Sequence, residues 1–388
     1  MSKILFNGLM YEENGAGISV YTKKIMDRYI ENESFNITCL LRKQYEPIYN
    51  HNPRICLSKN AIYNSAQRII YEQIRGVAQY NKYDLIHFPD YATCLVSKAK
   101  KVITIQDMAM FTMKHAYTRK QVLVKQFLLK RSLNKVDGIV CSSYYAKQEL
   151  LKYFPRMKNK KIEVIYPGVD LPKQVELDRQ NQNSLLQRFH IKKPYILFVG
   201  TLAPSKNILN LLKAFEIIRS KELEYQLVIC GKKGWMYEEL FIAYEKSSYK
   251  EDIIFTDFVS SEELEIIYAN AKMFSSASLY EGFGFPPLEA MIRRIPVVVS
   301  DLEIFRETCD NAAVYYNPLD IRDIAQVLIK VLQDDNLQQV LIHRGYERAG
   351  LFNTENTVRQ LYRFYQDVIG HYDLHEDMQV NKDIKINS

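Results

Sequence analysis

Two glutamates, Glu281 and Glu289, carry the most chemistry in this chain. They lie eight residues apart in Tyr280-Glu281-Gly282-Phe283-Gly284-Phe285-Pro286-Pro287-Leu288-Glu289-Ala290-Met291. An apolar run near Met273–Ser275 precedes them, so Glu281 to Phe285 reads as a loop that follows a strand. Pro286 and Pro287 suit the opening of a helix, which puts Glu289 in its first turn. Gly282 and Gly284 let the backbone approach a bound molecule. One carboxylate in a loop and one in the next helix can accept from separate hydroxyls of a single ligand. The N–H groups of a helix start can hold a phosphate between them. Hydroxyls beside an anion describe a nucleotide-sugar. The plainer reading has Glu289 capping the helix start and Glu281 solvated.

Two further loops follow apolar runs. Gly200-Thr201-Leu202-Ala203-Pro204-Ser205-Lys206-Asn207 comes after Tyr195–Val199. A lysine at or next to a helix start opposes the helix dipole unless it serves a bound anion. Lys206 is a flexible point charge suited to a diphosphate; otherwise it is a solvated surface lysine. Asn14-Gly15-Ala16-Gly17-Ile18-Ser19 follows the first apolar run. Small residues at a helix start let N–H groups reach an anion. As a bare motif the segment also fits a simple loop. It is neither G-x-G-x-x-G nor a Walker A loop.

The elements that must position these residues repeat as strand, loop, helix. Strands are expected at Lys3–Phe6, Ile37–Leu41, Leu85–Phe88, Val102–Ile105, Gly138–Cys141 and Ile162–Ile165. Helices are expected at Ile18–Tyr29, Ser65–Tyr80, Arg119–Leu133 and Tyr144–Tyr153. Continuous apolar strands separated by helices argue for a parallel sheet covered on both faces. Pro167 to about Asn183 is turn-rich, then polar and without period, and reads as an interdomain linker. The pattern restarts with strands at Tyr195–Val199, Gln226–Cys230, Ile253–Phe255, Met273–Ser275, Val297–Val299 and Ala313–Tyr316, and a helix at Asn207–Arg219. Helices at Ile321–Leu332, Asn336–Ala349 and Glu355–Val368 follow.

The expected fold class is therefore α/β, with two doubly wound domains facing across a cleft. Residues 1–175 form the N-terminal domain and 185–350 the C-terminal one. Residues 351–370 form a last helix, and 371–388 a polar tail expected to be disordered. Open parallel sheets bind ligands beyond the C-terminal ends of their strands, where all three loops fall.

Composition bounds the partners. Lys and Arg outnumber Asp and Glu by 52 to 45, a net charge of +7 that suits a phosphate-bearing ligand or an anionic membrane surface. It falls short of a nucleic-acid-binding composition. The six cysteines form no C-x-x-C pair and read as reduced, buried residues of a cytoplasmic protein. A zinc site is not expected. The first residues read as a strand, not a signal peptide. No run of 18 apolar residues exists, so no transmembrane helix is expected.

The chain resembles the retaining, GT-B-fold glycosyltransferases of family 4, in a mannosyltransferase-like subgroup. The resemblance spans nearly the whole chain. It is carried by the E-x7-E motif inside EGFGFPPLEA, by VGTLAPSKN (Val199 to Asn207) and by ICGKKGW (Ile229 to Trp235). DLIHFPD (Asp84 to Asp90), and CSSYYAKQEL followed by IEVIYPGVD, add to it.

That resemblance implies two Rossmann-like domains and transfer of a hexose from a nucleotide-sugar to a hydroxyl with retention of configuration. Mannose is slightly favoured, and the nucleotide is GDP or UDP. Glu289 would hold the ribose hydroxyls and Glu281 would orient the donor sugar. Lys206, beside Ser205, would neutralise the departing diphosphate. Gly282, Phe283, Gly284 and Phe285 would line the phosphates, with Gly15 and Gly17 covering them from the other domain. Asp257, Phe258 and Val259 would lie by the base. No metal or cofactor is implied.

Three departures stand out. Ser205 replaces one of two basic residues usual before Asn207. Gln106, ahead of Asp107, replaces a histidine of the catalytic region, and can donate a hydrogen bond but not shuttle a proton. In the first loop, Ser19 stands where the family has a small glycine and keeps the close approach, while Val20 replaces its arginine.

The segment His115 to Lys135 alternates Lys120, Lys125, Lys130, Arg131 and Lys135 with Val122, Leu123, Val124, Phe127, Leu128 and Leu129. It reads either as a sheet-covering helix with a solvated basic face or as a helix resting on an anionic membrane. With the resemblance, it points to a saccharide or lipid-linked saccharide acceptor in surface polysaccharide synthesis, and to a peripheral place on the inner face of the membrane. Other readings are a catalytically weak relative that binds nucleotide-sugar, a phosphorylase or starch-type synthase of the same fold, and a two-domain periplasmic binder. The phosphorylase and synthase lack their lysine and K-x-G-G features here, and the binder lacks an export signal.

Overall fold

Every strand pairing in the computed structural model is parallel, and the strands fall into two sheets. The structure describes residues 2–13, 15, 17–49, 51–172 and 179–370. The chain divides into two compact units, one of residues up to 168 together with those from 351 on, the other of residues 169–350. The tail 371–388 lies outside the described residues, as do residues 173–178 of the expected linker.

The first unit holds β1 (Ile4–Asn7), β2 (Ile37–Leu41), β3 (Ile55–Leu57), β4 (Leu85–Phe88), β5 (Lys100–Ile105), β6 (Gly138–Cys141) and β7 (Lys161–Val164). Their order across the sheet is β3-β2-β1-β4-β5-β6-β7. β1, β4 and β6 are buried along their whole length, as continuous apolar runs between two helical layers must be. β7, at the edge, alternates exposed Lys161 and Glu163 with half-buried Ile162 and Val164, a charged edge that discourages further pairing.

The second unit holds β8 (Tyr195–Val199), β9 (Gln226–Cys230), β10 (Ile253–Asp257), β11 (Met273–Ser276), β12 (Val297–Ser300) and β13 (Ala313–Tyr316). Their order is β10-β9-β8-β11-β12-β13. In both sheets the winding direction reverses beside the first strand, between β1 and β4 and between β8 and β11. Loops diverge at that point and leave a crevice beyond the strand ends.

The helix Thr354–Ile369 belongs to the first unit, where Val358, Leu361, Phe364, Tyr365 and Val368 are buried. It lies against the start of β6: a Cβ on Gly138 would come within 2.8 Å of Val368 and 2.9 Å of Phe364. Lys100 Nζ donates to the carbonyls of Val368 at 2.6 Å and Ile369 at 3.3 Å, complementing the negative end of the helix. Inside, Tyr29 donates to Tyr365 Oη at 3.3 Å, Tyr365 lies 2.5 Å from His87 Nδ1, and His87 Nε2 lies 2.7 Å from Thr104 Oγ1. Burial pushes the His87 imidazole down to about 3.

Three expectations are corrected. The single helix over Ser65–Tyr80 is broken: Ser65–Ile70 is α-helical, Tyr71–Arg75 is a π turn, and Val77–Tyr80 resumes after Gly76. The backbone swings because Gly76 N bonds Tyr71 O, and a Cβ on Gly76 would meet the Tyr71 ring at 2.8 Å. The polar stretch read as linker is already helical from Arg179 to Arg188, with Leu185 buried and Arg188 paired to Glu263. Glu289 is the fifth residue of the helix Phe285–Ile292, so it stands in the second turn and caps nothing. The helix begins before both prolines, at Phe285.

Candidate functional site

The switch point of the second sheet brings Lys206 and Glu281 together. Lys206 ends the 3-10 turn Pro204–Lys206 beyond β8, and Glu281 lies in the loop beyond β11. Because β8 and β11 are neighbours, their loops leave the sheet side by side, and Leu279 N donates to Ser205 O at 2.8 Å to tie them. Asn207 follows in a left-handed conformation, φ +51°, with its Nδ2 donating to Pro318 O at 2.8 Å, so the lysine loop is held on its other side too.

Lys206 Nζ donates to Glu281 Oε1 at 2.6 Å, and Ser278 Oγ donates to the same oxygen at 2.7 Å. Oε2 accepts from no group among the described residues. The side chains of Lys206 and Glu281 are 25% and 14% exposed, enough for a ligand to reach both. A cation and a carboxylate held this way offer one positive and one acceptor group to a bound molecule.

The loop into the next helix is shaped by Gly284, at φ +87°, where a Cβ would lie 2.7 Å from the Phe305 ring. Of the four opening positions of that helix, Pro286 and Pro287 carry no N–H, so Gly284 and Phe285 supply its donors. Gly282 stands half-buried between Glu281 and this loop. Phe283 is buried against Phe285, ring centroids 5.1 Å apart, so it offers backbone and not ring to a ligand. Glu289 Oε2 accepts from Tyr268 Oη at 3.3 Å, and Arg293 donates to the Glu289 carbonyl at 2.7 Å while pairing with Glu265. Burial, then the Glu289 charge, pushes the Tyr268 hydroxyl well above the usual phenol range, so it stays a donor.

At the neighbouring strand ends, Gly231 lies so close to Gly200 that a Cβ would sit 2.0 Å from the Gly200 carbonyl oxygen. Asp257 has φ +56°, and its carbonyl accepts from Gly231 N at 3.1 Å. Phe258 is 51% exposed and Val259 is buried, so Phe258 is the one of the pair with a ring to offer.

The remaining predicted residues lie in the first unit. Gly17, φ +56°, precedes the helix Ile18–Glu31. A Cβ on Gly15 would collide with Ser19 Oγ at 2.3 Å. Ser19 donates to Glu12 O and accepts from Glu12 N, both at 2.8 Å, and so closes the loop. Asp107 Oδ1 accepts from Ala109 N at 2.8 Å, opening the short helix Ala109–Thr112. Gln106 Nε2 is buried with no hydrogen-bond partner among the described residues, an orphaned donor beyond the end of β5.

Three groups had gone unread. Ser278 and Tyr268 hold the two glutamates. In the first unit, Arg68 lies 3.2 Å from Glu72 and 3.5 Å from Asp90, and Glu72 accepts from Asn7 Nδ2 at 3.0 Å, all buried at the ends of β1 and β4. Burial raises both carboxyls above their ordinary values, and Arg68 opposes the rise. Ser278 had a faint signal, the run Ser275-Ser276-Ala277-Ser278 at a strand end; an arginine buried between carboxylates has none.

The family model for Glycosyltransferase Family 4 matches residues 17–173, and that for Glycosyl transferases group 1 matches residues 182–348. O-antigen chain mannosyltransferase B of Escherichia coli is 28% identical over 271 residues, 69% of this chain and 70% of that protein. O-antigen chain mannosyltransferase RfbU of Salmonella typhimurium is 31% identical over 223 residues, 57% of each. Sucrose-phosphate synthase of Thermosynechococcus elongatus shares the fold, with a TM-score of 0.74 at 17% identity, covering 96% of this chain and all of that one.

Proposed function

Because the chain belongs to the group 1 and family 4 glycosyl transferases and is a GT-B-fold glycosyltransferase, we propose that it transfers a hexose from a nucleoside-diphosphate sugar to a saccharide or lipid-linked saccharide in surface polysaccharide synthesis. The transfer retains configuration. Mannose carried on GDP is the favoured donor, since relatives such as the Escherichia coli protein are named O-antigen mannosyltransferases; UDP-sugars form the alternative.

The observation that carries the reading is Lys206 and Glu281 joined at the switch point of the second sheet. Breaking a sugar–diphosphate bond builds negative charge on the departing oxygens. Lys206 meets that charge, aided by the backbone donors of Gly284 and Phe285, and stabilises the transition state more than the ground state. Glu281 orients the donor sugar through a hydroxyl. Glu289, held by Tyr268, takes the ribose. Phe258 lies by the base. In this reading, lysine and backbone N–H groups take the part that a divalent cation would play, and no metal is required.

A membrane-borne acceptor fits the helix Arg119–Leu133. Its Leu123, Val124 and Phe127 are exposed beside exposed Lys120, Lys130 and Arg131. Apolar side chains flanked by lysines suit an anionic bilayer surface. Among the described residues, no helix is long and apolar enough to cross a membrane.

Calorimetry with GDP and UDP, without added metal, followed by turnover of GDP-mannose and UDP-glucose, tests the proposal. Binding of a diphosphate and release of it from its sugar donor are expected. Folded protein that binds neither nucleotide refutes it. Co-flotation with anionic liposomes at low salt tests the membrane part, and its absence would remove that part alone.

A further inference from the structure

We infer that Ser278 is the positioning residue for Glu281, holding its carboxylate in place when Lys206 leaves it for the donor diphosphate. The inference rests on the donor-site reading above. Ser278 is 0% exposed and so meets no ligand itself. Its hydroxyl lies 2.7 Å from Glu281 Oε1, the same oxygen that takes Lys206 Nζ.

An ionised carboxylate only accepts, so the Ser278 hydroxyl must donate to it. The Ser276 hydroxyl, 3.0 Å away, must then donate into the Ser278 oxygen. The direction of this short relay is therefore fixed, from the end of β11 toward Glu281. Ser276 is itself anchored, because its carbonyl accepts from Ser300 Oγ at 3.2 Å, at the end of β12. A hydroxyl that accepts one hydrogen bond donates the next more strongly.

The two donors on Oε1 differ in kind. Lys206 sits on a flexible, partly exposed stem and is free to follow a phosphate oxygen. Ser278 is fixed to the sheet. Once the lysine has turned to the diphosphate, the serine alone restrains the carboxylate. Oε2 stays directed to a sugar hydroxyl because Oε1 remains tied. Ser278 thus acts on the sugar end of the donor and leaves the nucleotide end untouched.

The test uses the full chain with GDP-mannose and UDP-glucose as donors in parallel, and GDP and UDP as binding probes. The variants are Ser278→Ala, Ser278→Thr, Glu281→Gln and the double Ser278→Ala/Glu281→Gln, with folding checked by circular dichroism. Loss of one hydrogen bond to a charged group predicts a fall of about tenfold in kcat for Ser278→Ala, with diphosphate affinity within about twofold of the parent. Ser278→Thr, which keeps the hydroxyl, should restore most of the rate. In the Glu281→Gln background the alanine change should cost nothing further. Unchanged kcat in Ser278→Ala overturns the inference. So does the same tenfold loss in the Glu281→Gln background, which would mean that Ser278 acts independently of the carboxylate. A parent protein that turns over neither donor overturns the donor-site reading instead. Full turnover by Glu281→Gln would likewise refute the role given to Glu281.

Discussion

Acid should weaken the first unit through one histidine. His87 is fully buried, and burial pushes its imidazole down to about 3. Its hydrogen bonds fit the neutral ring. Tyr29 donates to Tyr365, Tyr365 donates to Nδ1, and the proton on Nε2 is shared with Thr104. A second ring proton would need Tyr365 to accept from both sides. In the unfolded chain the same imidazole takes a proton near pH 6.5. Between pH 6.5 and about 3 the unfolded state therefore binds one proton more than the native state. Stability from this group is full above pH 6.5 and falls as the solution is acidified, by about 1.4 kcal/mol per pH unit. At pH 4.5 the loss is about 3 kcal/mol, a sizeable part of what holds a domain folded. The assay is urea unfolding followed by circular dichroism at pH 7.0, 6.0, 5.0 and 4.5, for the parent and for His87→Gln. The variant should be weaker at pH 7.0 by about 1–3 kcal/mol, because its amide replaces both bonds imperfectly. The difference should move by about 3 kcal/mol in the variant's favour toward pH 4.5, closing or reversing the gap. Other titrating groups cancel in the difference. Parallel curves, with a constant gap at every pH, would refute the reasoning.

Lys206→Met should weaken GDP or UDP binding by about 10–100-fold while leaving the corresponding nucleoside unaffected; equal losses for both would remove the lysine from the phosphates. Gly284→Ala places a Cβ 2.7 Å from the Phe305 ring in a backbone region hostile to side chains. Its urea midpoint should fall by the equivalent of about 1–3 kcal/mol, and an unchanged midpoint would contradict the close approach. Arg68→Met strands Glu72 and Asp90 without their cation. It should cost about 3–5 kcal/mol, part of it recovered by adding Glu72→Gln; no recovery would show that the charge is not what is lost.

The strands most open to reading from sequence were those buried on both faces. Leu85–Phe88, Gly138–Cys141 and Gln226–Cys230 run to the residue as their apolar character indicates. Ile55–Leu57 escaped because it is three half-buried residues at a sheet edge, too short to establish a period. The helix Ser261–Ala269 was missed although Ser260 and Glu263 cap it reciprocally, a signal available at fixed spacing. For the site, a loop after each apolar strand was enough to single out Lys206 and Glu281. Their meeting follows from β8 and β11 being neighbours, which no local pattern encodes. Tyr268 had no signal, and Ser278 only a faint one, for a related reason. A serine or tyrosine gains its role from the tertiary partner it faces, not from its own spacing.

The placement of Thr354–Ile369 in the first unit bears on how the chain is made. Residues 169–350 are contiguous, so the second unit can close as soon as it clears the ribosome. The first unit emerges earlier but lacks the helix that covers Gly138 and buries His87. At ordinary synthesis rates it waits roughly 10–40 s for that helix. During the wait its apolar sheet face is exposed to chaperones and to neighbouring nascent chains. A message truncated just before codon 354 would yield a folded second unit on an unfinished first one. Such a product can keep Lys206 and Glu281 together while remaining a target for degradation. The first unit is thus closed by the helix Thr354–Ile369, made after the unit that carries Lys206 and Glu281.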